Sequence, residues 1–168
     1  MAEYLEFILL DEKGVERKGK MNKDDPNDVY LWRAKRGDRT LKNPYWKRCA
    51  INEALGYYHI KVGKKQYKLH RVCYYAHNPD WNIYDSSRDN SIDHIDRNRT
   101  NNHITNLRVA TNSQNAENKN AKGYHYCETY KRWRARVTKH GKQYNKYCKT
   151  EEEAIEAREK LKEKYHTF

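Results

Sequence analysis

Long apolar runs are missing from this sequence. The stretch Phe7–Leu10 is far too short to cross a bilayer, which takes ~20 apolar residues, and no secretory leader is expected. A basic amphipathic helix with an apolar face, which a membrane-surface role would want, is missing too. Cysteines occur singly, at Cys49, Cys73, Cys127 and Cys148, with no C-x-x-C pair. That spacing is poor for a structural zinc site or a secreted disulfide framework. Reduced thiols in an intracellular protein are the expectation; Cys127 and Cys148 can approach across a sheet, but small buried thiols explain them better. Apolar residues are few overall, at 36% with a mean hydropathy of −1.32, close to the disordered class.

What is abundant argues for order. The chain carries 15 Tyr and 4 Trp, side chains that bury much area each and also stack on flat partners. Its 168 residues therefore predict one domain or two small ones, built on several small cores. Acids are outnumbered: 35 Lys and Arg stand against 23 Asp and Glu, a net charge of +12 that points to a polyanionic partner.

Tyr4–Leu10 reads as a strand closed by a turn at Asp11–Gly14, and Met21–Pro26 as loop. From Val29 to Trp46, Trp32, Tyr45 and Trp46 are interleaved with Arg33, Lys35, Arg36, Arg39 and Lys42. Such a pattern suits a nucleic-acid surface. A small core covered by the stems of basic side chains fits slightly better. Leu55–Val62 and Gln66–Leu69 flank Gly63-Lys64-Lys65 as a hairpin, and His70–His77 makes one or two helical turns before Asn78-Pro79.

The most informative stretch is Ser91–Asn120, SIDHIDRNRTNNHITNLRVATNSQNAENKN. Asp93-His94 ends a short apolar run, Asn106 follows Asp93 by thirteen positions, and Asn115 comes nine later. Ser91–His94 and Leu107–Ala110 read as strands around a loop over Arg97–Thr105. Thr111 or Asn112 caps a helix to about Lys119, on which Asn115 and Asn118 share a face. The spacing and order resemble the HNH nucleases of the phage and intron-homing branch, whose site is a β-β-α unit gripping one divalent metal ion. LHRVCYYAH, ending at His77, resembles the segment just upstream of that site, where His70 has a supporting role.

The resemblance implies roles. His94 is the general base, a job its near-neutral side chain suits. Asp93 binds the metal, Asn115 is the second protein ligand, and Asn106 holds the loop and orients His94. Many family members carry His where this chain has Asn115. With Asp and Asn the donors are all oxygen, so one Mg²⁺, with Mn²⁺ as substitute, is expected rather than zinc. Asn98, Asn101 and Asn102 read as loop formers, with Arg97 and Arg99 on phosphate.

Beyond Asn118 the composition shifts. Lys119–Lys149 holds ten Lys or Arg against one acid, Glu128, so most of the net charge sits on about thirty residues. Gly123–Thr129, Arg132–Lys139 and Lys142–Lys149 read as three strands, with a tight turn at His140-Gly141. Trp133, Ala135 and Val137 alternate with Arg132, Arg134 and Arg136, giving an apolar face and a basic one. Thr150-Glu151-Glu152-Glu153 forms a capping box, and Ala154, Ala157, Leu161 and Tyr165 stripe the helix after it. This segment resembles the Apetala/ethylene-response-factor type of DNA-binding domain, a three-stranded sheet on one helix whose exposed face enters the major groove. Arg132, Arg134 and Arg136 are then the candidates for reading bases, the division among them between base and phosphate contacts being open. Lys139, Lys142, Lys146, Tyr124, Tyr126 and Tyr144 lie nearer the DNA backbone, and Trp133 in the core.

These readings predict an α+β chain. A region of open role (1–54) leads into a ββα-metal nuclease unit (55–118) preceded by strands and a hairpin. A linker (119–122) joins it to a three-stranded antiparallel sheet packed on one helix (123–168). The expected function is site-specific homing endonuclease action on double-stranded DNA, nicking as a monomer. The rivals are a restriction endonuclease of the same chemistry and a non-catalytic DNA-binding regulator. No membrane or small-molecule substrate is expected.

Overall fold

The computed structural model describes residues 2–36, 39–118, 121–139 and 141–166. The expected helix end at Lys119, part of the expected linker and the turn residue His140 lie outside them. The chain divides into two compact units, residues 1–109 and 110–168.

The first unit begins with four antiparallel strands in chain order: β1 (Tyr4–Leu10), β2 (Glu16–Asn22), β3 (Val29–Arg36) and β4 (Arg39–Arg48). Strand β2 replaces the loop expected at Met21, because Met21 pairs with Leu5 and is fully buried. Alternation along the strands explains the sheet. Phe7 and Leu9 on β1, Met21 on β2, and Val29 and Leu31 on β3 all point into one core. Gly19 is required there: it lies across from Phe7, and a Cβ on it would run into the Phe7 ring. On the opposite face Lys20 Nζ lies over the rings of Tyr4, Trp46 and Tyr30, at 4.4, 5.0 and 5.3 Å.

A second sheet follows, β5 (Asn52–Ala54), β6 (Tyr57–Val62) and β7 (Lys65–Lys68). The β6–β7 turn is the expected hairpin, with Gly63 at φ +64°. The turn before it places Leu55 and Gly56 at φ +54° and +75°, so Leu55 lies outside the strand and is 92% exposed. Helix α1 (Leu69–His77) buries Leu69, His70, Val72, Cys73 and Ala76, a spacing that lays one face on the core. Arg71 faces the other way and ties the following loop down through the carbonyls of Ile83, Asp85 and Asn90. That loop leads to β8 (Ser91–His94), which pairs with β9 (Leu107–Ala110). Ile92 and Leu107 anchor the pair in the same core.

In the second unit a short helix, α2 (Asn112–Glu117), starts from a capping box between Thr111 and Gln114. Strands β10 (Tyr124–Cys127), β11 (Arg132–Lys139) and β12 (Lys142–Cys148) form the expected antiparallel sheet, with Gly141 at φ +77° in the second turn. Helix α3 (Glu151–Tyr165) covers it. Thr150 accepts from the Glu153 backbone as expected, but the Glu153 carboxylate reaches the Lys149 amide, one residue short of a capping box. Ala154 and Ala157 pack under Ala135 and Cys148, and Tyr165 stacks on Tyr144 at 3.7 Å. All four cysteines are free thiols.

Candidate nuclease site and basic sheet

His94 ends β8 and is 4% exposed. Its Nε2 lies 3.0 Å from Oδ1 of Asn102. An amide oxygen only accepts, so in this contact Nε2 is the donor. Asn102, read from sequence as a loop former, is 2% exposed and serves His94 directly. Only its burial reveals this, since Asn98 and Asn101 nearby are exposed.

Asn106 is bonded into the loop that follows β8. Its Oδ1 accepts from the Asp96 amide at 2.9 Å, and its Nδ2 donates to Asp96 Oδ1 and the Asn101 carbonyl, both at 2.8 Å. Its own carbonyl takes the Ile95 amide at 2.9 Å. The chain leaving His94 is thus pinned to the residue just before β9. Burial opposes charge on Asp96, yet bonds from Asn101, the Asn98 amide and Asn106 outweigh it and hold the carboxyl below its ordinary range.

Asp93 is 7% exposed. Arg108 on β9 reaches its Oδ2 through Nε at 3.2 Å and Nη2 at 3.0 Å. Sequence reasoning gave Arg108 no role; the pairing of β8 with β9 brings it to Asp93. The carboxylate is a hard oxygen donor whose orientation Arg108 fixes, and so it fits an oxygen-loving cation. Among the described residues no group of three or more His, Cys, Asp or Glu can hold an ion. Were an ion to sit on Asp93, the other donors would have to be amides, water or phosphate.

His70, from α1, forms the wall behind His94. The two rings meet edge to face at 4.9 Å, and Tyr57 packs 5.3 Å from His70 and 6.2 Å from His94. Burial first, and then the basic side chains of His94, Lys68 and Arg71 around it, push His70 down to about 2, so it stays neutral. Its Nδ1 has no partner among the described residues. Arg99 and Lys68 lie over the Tyr57 ring at 5.0 and 4.6 Å. Arg97 and Arg99 are both exposed on the loop, and Arg97 takes φ +66° where its amide bonds back to the His94 carbonyl.

Asn115, half-buried, lies on α2 in the second unit, where its amide donates to the Thr111 carbonyl.

In the basic sheet, register sorts the candidates, because residues directly opposite in an antiparallel pair share a face. Tyr124 and Lys146 oppose Ala135, Tyr126 opposes Trp133, Tyr144 opposes Val137, and Lys142 opposes Lys139. These six candidates share the side of Ala135 and Val137, which α3 covers. On the other side Arg132, Arg134 and Arg136 line up with Cys127, His125, Tyr147 and Asn145. Arg134 Nη2 lies 3.0 Å from His125 Nε2, and Tyr147 is 41% exposed. Sequence reasoning missed His125, Asn145 and Tyr147; counting alternate positions back from the turn would have found them.

Among the described residues no helix is long and apolar enough to cross a membrane. Residues 67–117 match the family model described as HNH endonuclease, a span that includes His70, Asp93, His94, Asn102, Asn106, Arg108 and Asn115. The "SPbeta prophage-derived putative HNH homing endonuclease YosQ" of Bacillus subtilis (strain 168) is 36% identical over 63 residues. That alignment takes in 38% of this chain and 34% of YosQ, so the chain covers about a third of its relative's length. No solved structure matches the chain.

Proposed function

We propose that this chain, whose residues 67–117 carry an HNH endonuclease domain, is a metal-dependent DNA endonuclease of the homing type that nicks duplex DNA as a monomer. One observation carries the reading: inside that span a buried imidazole, His94, is bonded to Asn102, packed on neutral His70 and placed next to Asp93. Such a site suits phosphodiester hydrolysis, which needs an activated water and relief of charge on the phosphate. His94 takes the proton from the attacking water at Nδ1, while Asn102 keeps the proton on Nε2. Asp93 gives a carboxylate oxygen to the ion, Mg²⁺ or Mn²⁺, and the family pattern gives the second ligand position to Asn115. When bound, the ion stabilises negative charge on the phosphate and the departing oxygen. Arg97 and Arg99 hold phosphates beside the cut, and the sheet face of Arg132, Arg134 and Arg136 reads the target, as in Apetala-type domains.

A supercoiled plasmid incubated with Mg²⁺, and in parallel with EDTA, tests this. Relaxation that needs the ion is expected, and His94→Ala should lose it while still binding DNA. No cleavage across many DNA substrates would leave a DNA-binding regulator as the better reading.

A further inference from the structure

The first unit holds a basic feature far along the chain from His94. Past Leu31 the β3–β4 hairpin has no buried residue among those described, so it stands off the core as a two-stranded ribbon. From Arg33 to Arg48 the sequence holds seven Lys or Arg and one acid, Asp38. At the ribbon's base is a cleft of about 210 Å³, lined on its polar side by Arg33, Lys47, Arg48, Asn52 and Lys61, with Cys49 behind them. No carboxylate lines it among the described residues. Leu31 opposes Lys47 and Arg33 opposes Tyr45, so Arg33 and Lys47 share a face. Arg48 is partly neutralised by Asp28 at 3.5 Å.

The surroundings of Cys49 report the same field. Burial pushes its thiol up to about 11, while Arg33 and Lys47 pull the other way. The cleft has room for roughly seven waters at ~30 Å³ each, enough for one phosphate and part of its hydration. Beyond it the ribbon carries Lys35, Arg39 and Lys42, all exposed. A ribbon of this kind fits a DNA groove, and cations at its base suit the backbone beside it.

We infer that the cleft between β4 and β6, with the hairpin face above it, is a second DNA contact: a grip on duplex phosphates that carries no sequence information. The inference rests on the endonuclease reading, and its test separates the two. The full chain is titrated with a duplex of arbitrary sequence in EDTA, from about 50 to about 200 mM salt. Each lost phosphate contact lowers the slope of log affinity against log salt by about 0.9, so Arg33→Gln with Lys47→Gln should make it shallower by about 1.8. Binding at low salt should weaken for every duplex sequence alike. Lys160→Gln with Lys164→Gln, the same charge change on exposed positions of α3, should leave the slope unchanged. Thermal melts confirm folding, and Lys47→Gln with Lys61→Gln, both exposed, repeats the test should Arg33 prove necessary for it. An unchanged slope in folded protein, or an equal change in the α3 control, overturns the grip. A wild-type chain that binds duplex DNA but cuts none in Mg²⁺ overturns the endonuclease reading instead.

Discussion

Replacing Asn102 by Ala tests the arrangement around His94 most directly. The change removes the acceptor 3.0 Å from His94 Nε2 in a place where neither residue is more than 4% exposed. A buried donor left unsatisfied costs about 1–3 kcal/mol. Part of that is offset, because the Asn102 Nδ2, itself unpartnered among the described residues, is removed as well. The stability loss should therefore fall in the lower half of that range, seen as a smaller urea midpoint with an unchanged slope. The rate should suffer more. A ring free to rotate or to move its proton to Nδ1 is a poorer base, and loss of an orienting partner typically costs about 10–100-fold. Single-turnover plasmid nicking measures it. Asn102→Asp separates orientation from simple packing: it keeps an acceptor in place but favours the imidazolium, so the rising limb of the pH–rate profile should move to higher pH. A fully folded Asn102→Ala chain that nicks at the wild-type rate across the pH range would refute the reasoning.

Further outcomes follow from the same geometry. His70 is neutral in the fold but titrates near 6.5 when unfolded, so below that pH the unfolded chain binds one more proton. Stability should then fall as pH falls, by about 1.4 kcal/mol per unit from this group, and His70→Phe should flatten that slope in urea titrations between pH 7 and 5. Arg134→Ala should weaken target binding by about 1–3 kcal/mol and relax discrimination, yet spare a site-independent nick, in gel-shift and nicking assays. Gly19→Ala should cost about 1–3 kcal/mol by forcing the Phe7 ring aside, read by denaturant titration. An intact midpoint would mean the sheet opens there at little cost.

Local signals carried far in some places and failed in others. The β11 alternation, the Gly63 and Gly141 turns, the Thr150 cap and the Asp93-His94 strand end were legible because each depends on a few neighbouring residues. Strand β2 was not, since ERKGKMN has a strand's burial pattern only once Phe7 and Leu5 lie opposite. The same holds for the candidate site. Family spacing marked Asp93, His94 and Asn106, but Asn102 and Arg108 act through contacts across 8 and 15 positions. In that polar loop nothing distinguishes a buried Asn from an exposed one.

The alternation along β11 also limits how the basic sheet can change. Arg132, Arg134 and Arg136 face out because Trp133, Ala135 and Val137 face in. Inserting or deleting one residue in the strand would swap the two sets, turning the guanidinium groups toward α3 and the core residues toward solvent. Whatever this face meets, a lineage can therefore retune it by exchanging side chains at every second position, in place. Small indels, a common source of novelty in loops, are closed to it. New preferences must be reached through point substitutions at Arg132, Arg134, Arg136 and their cross-strand neighbours His125, Asn145 and Tyr147, which makes these the positions to randomise in a retargeting library.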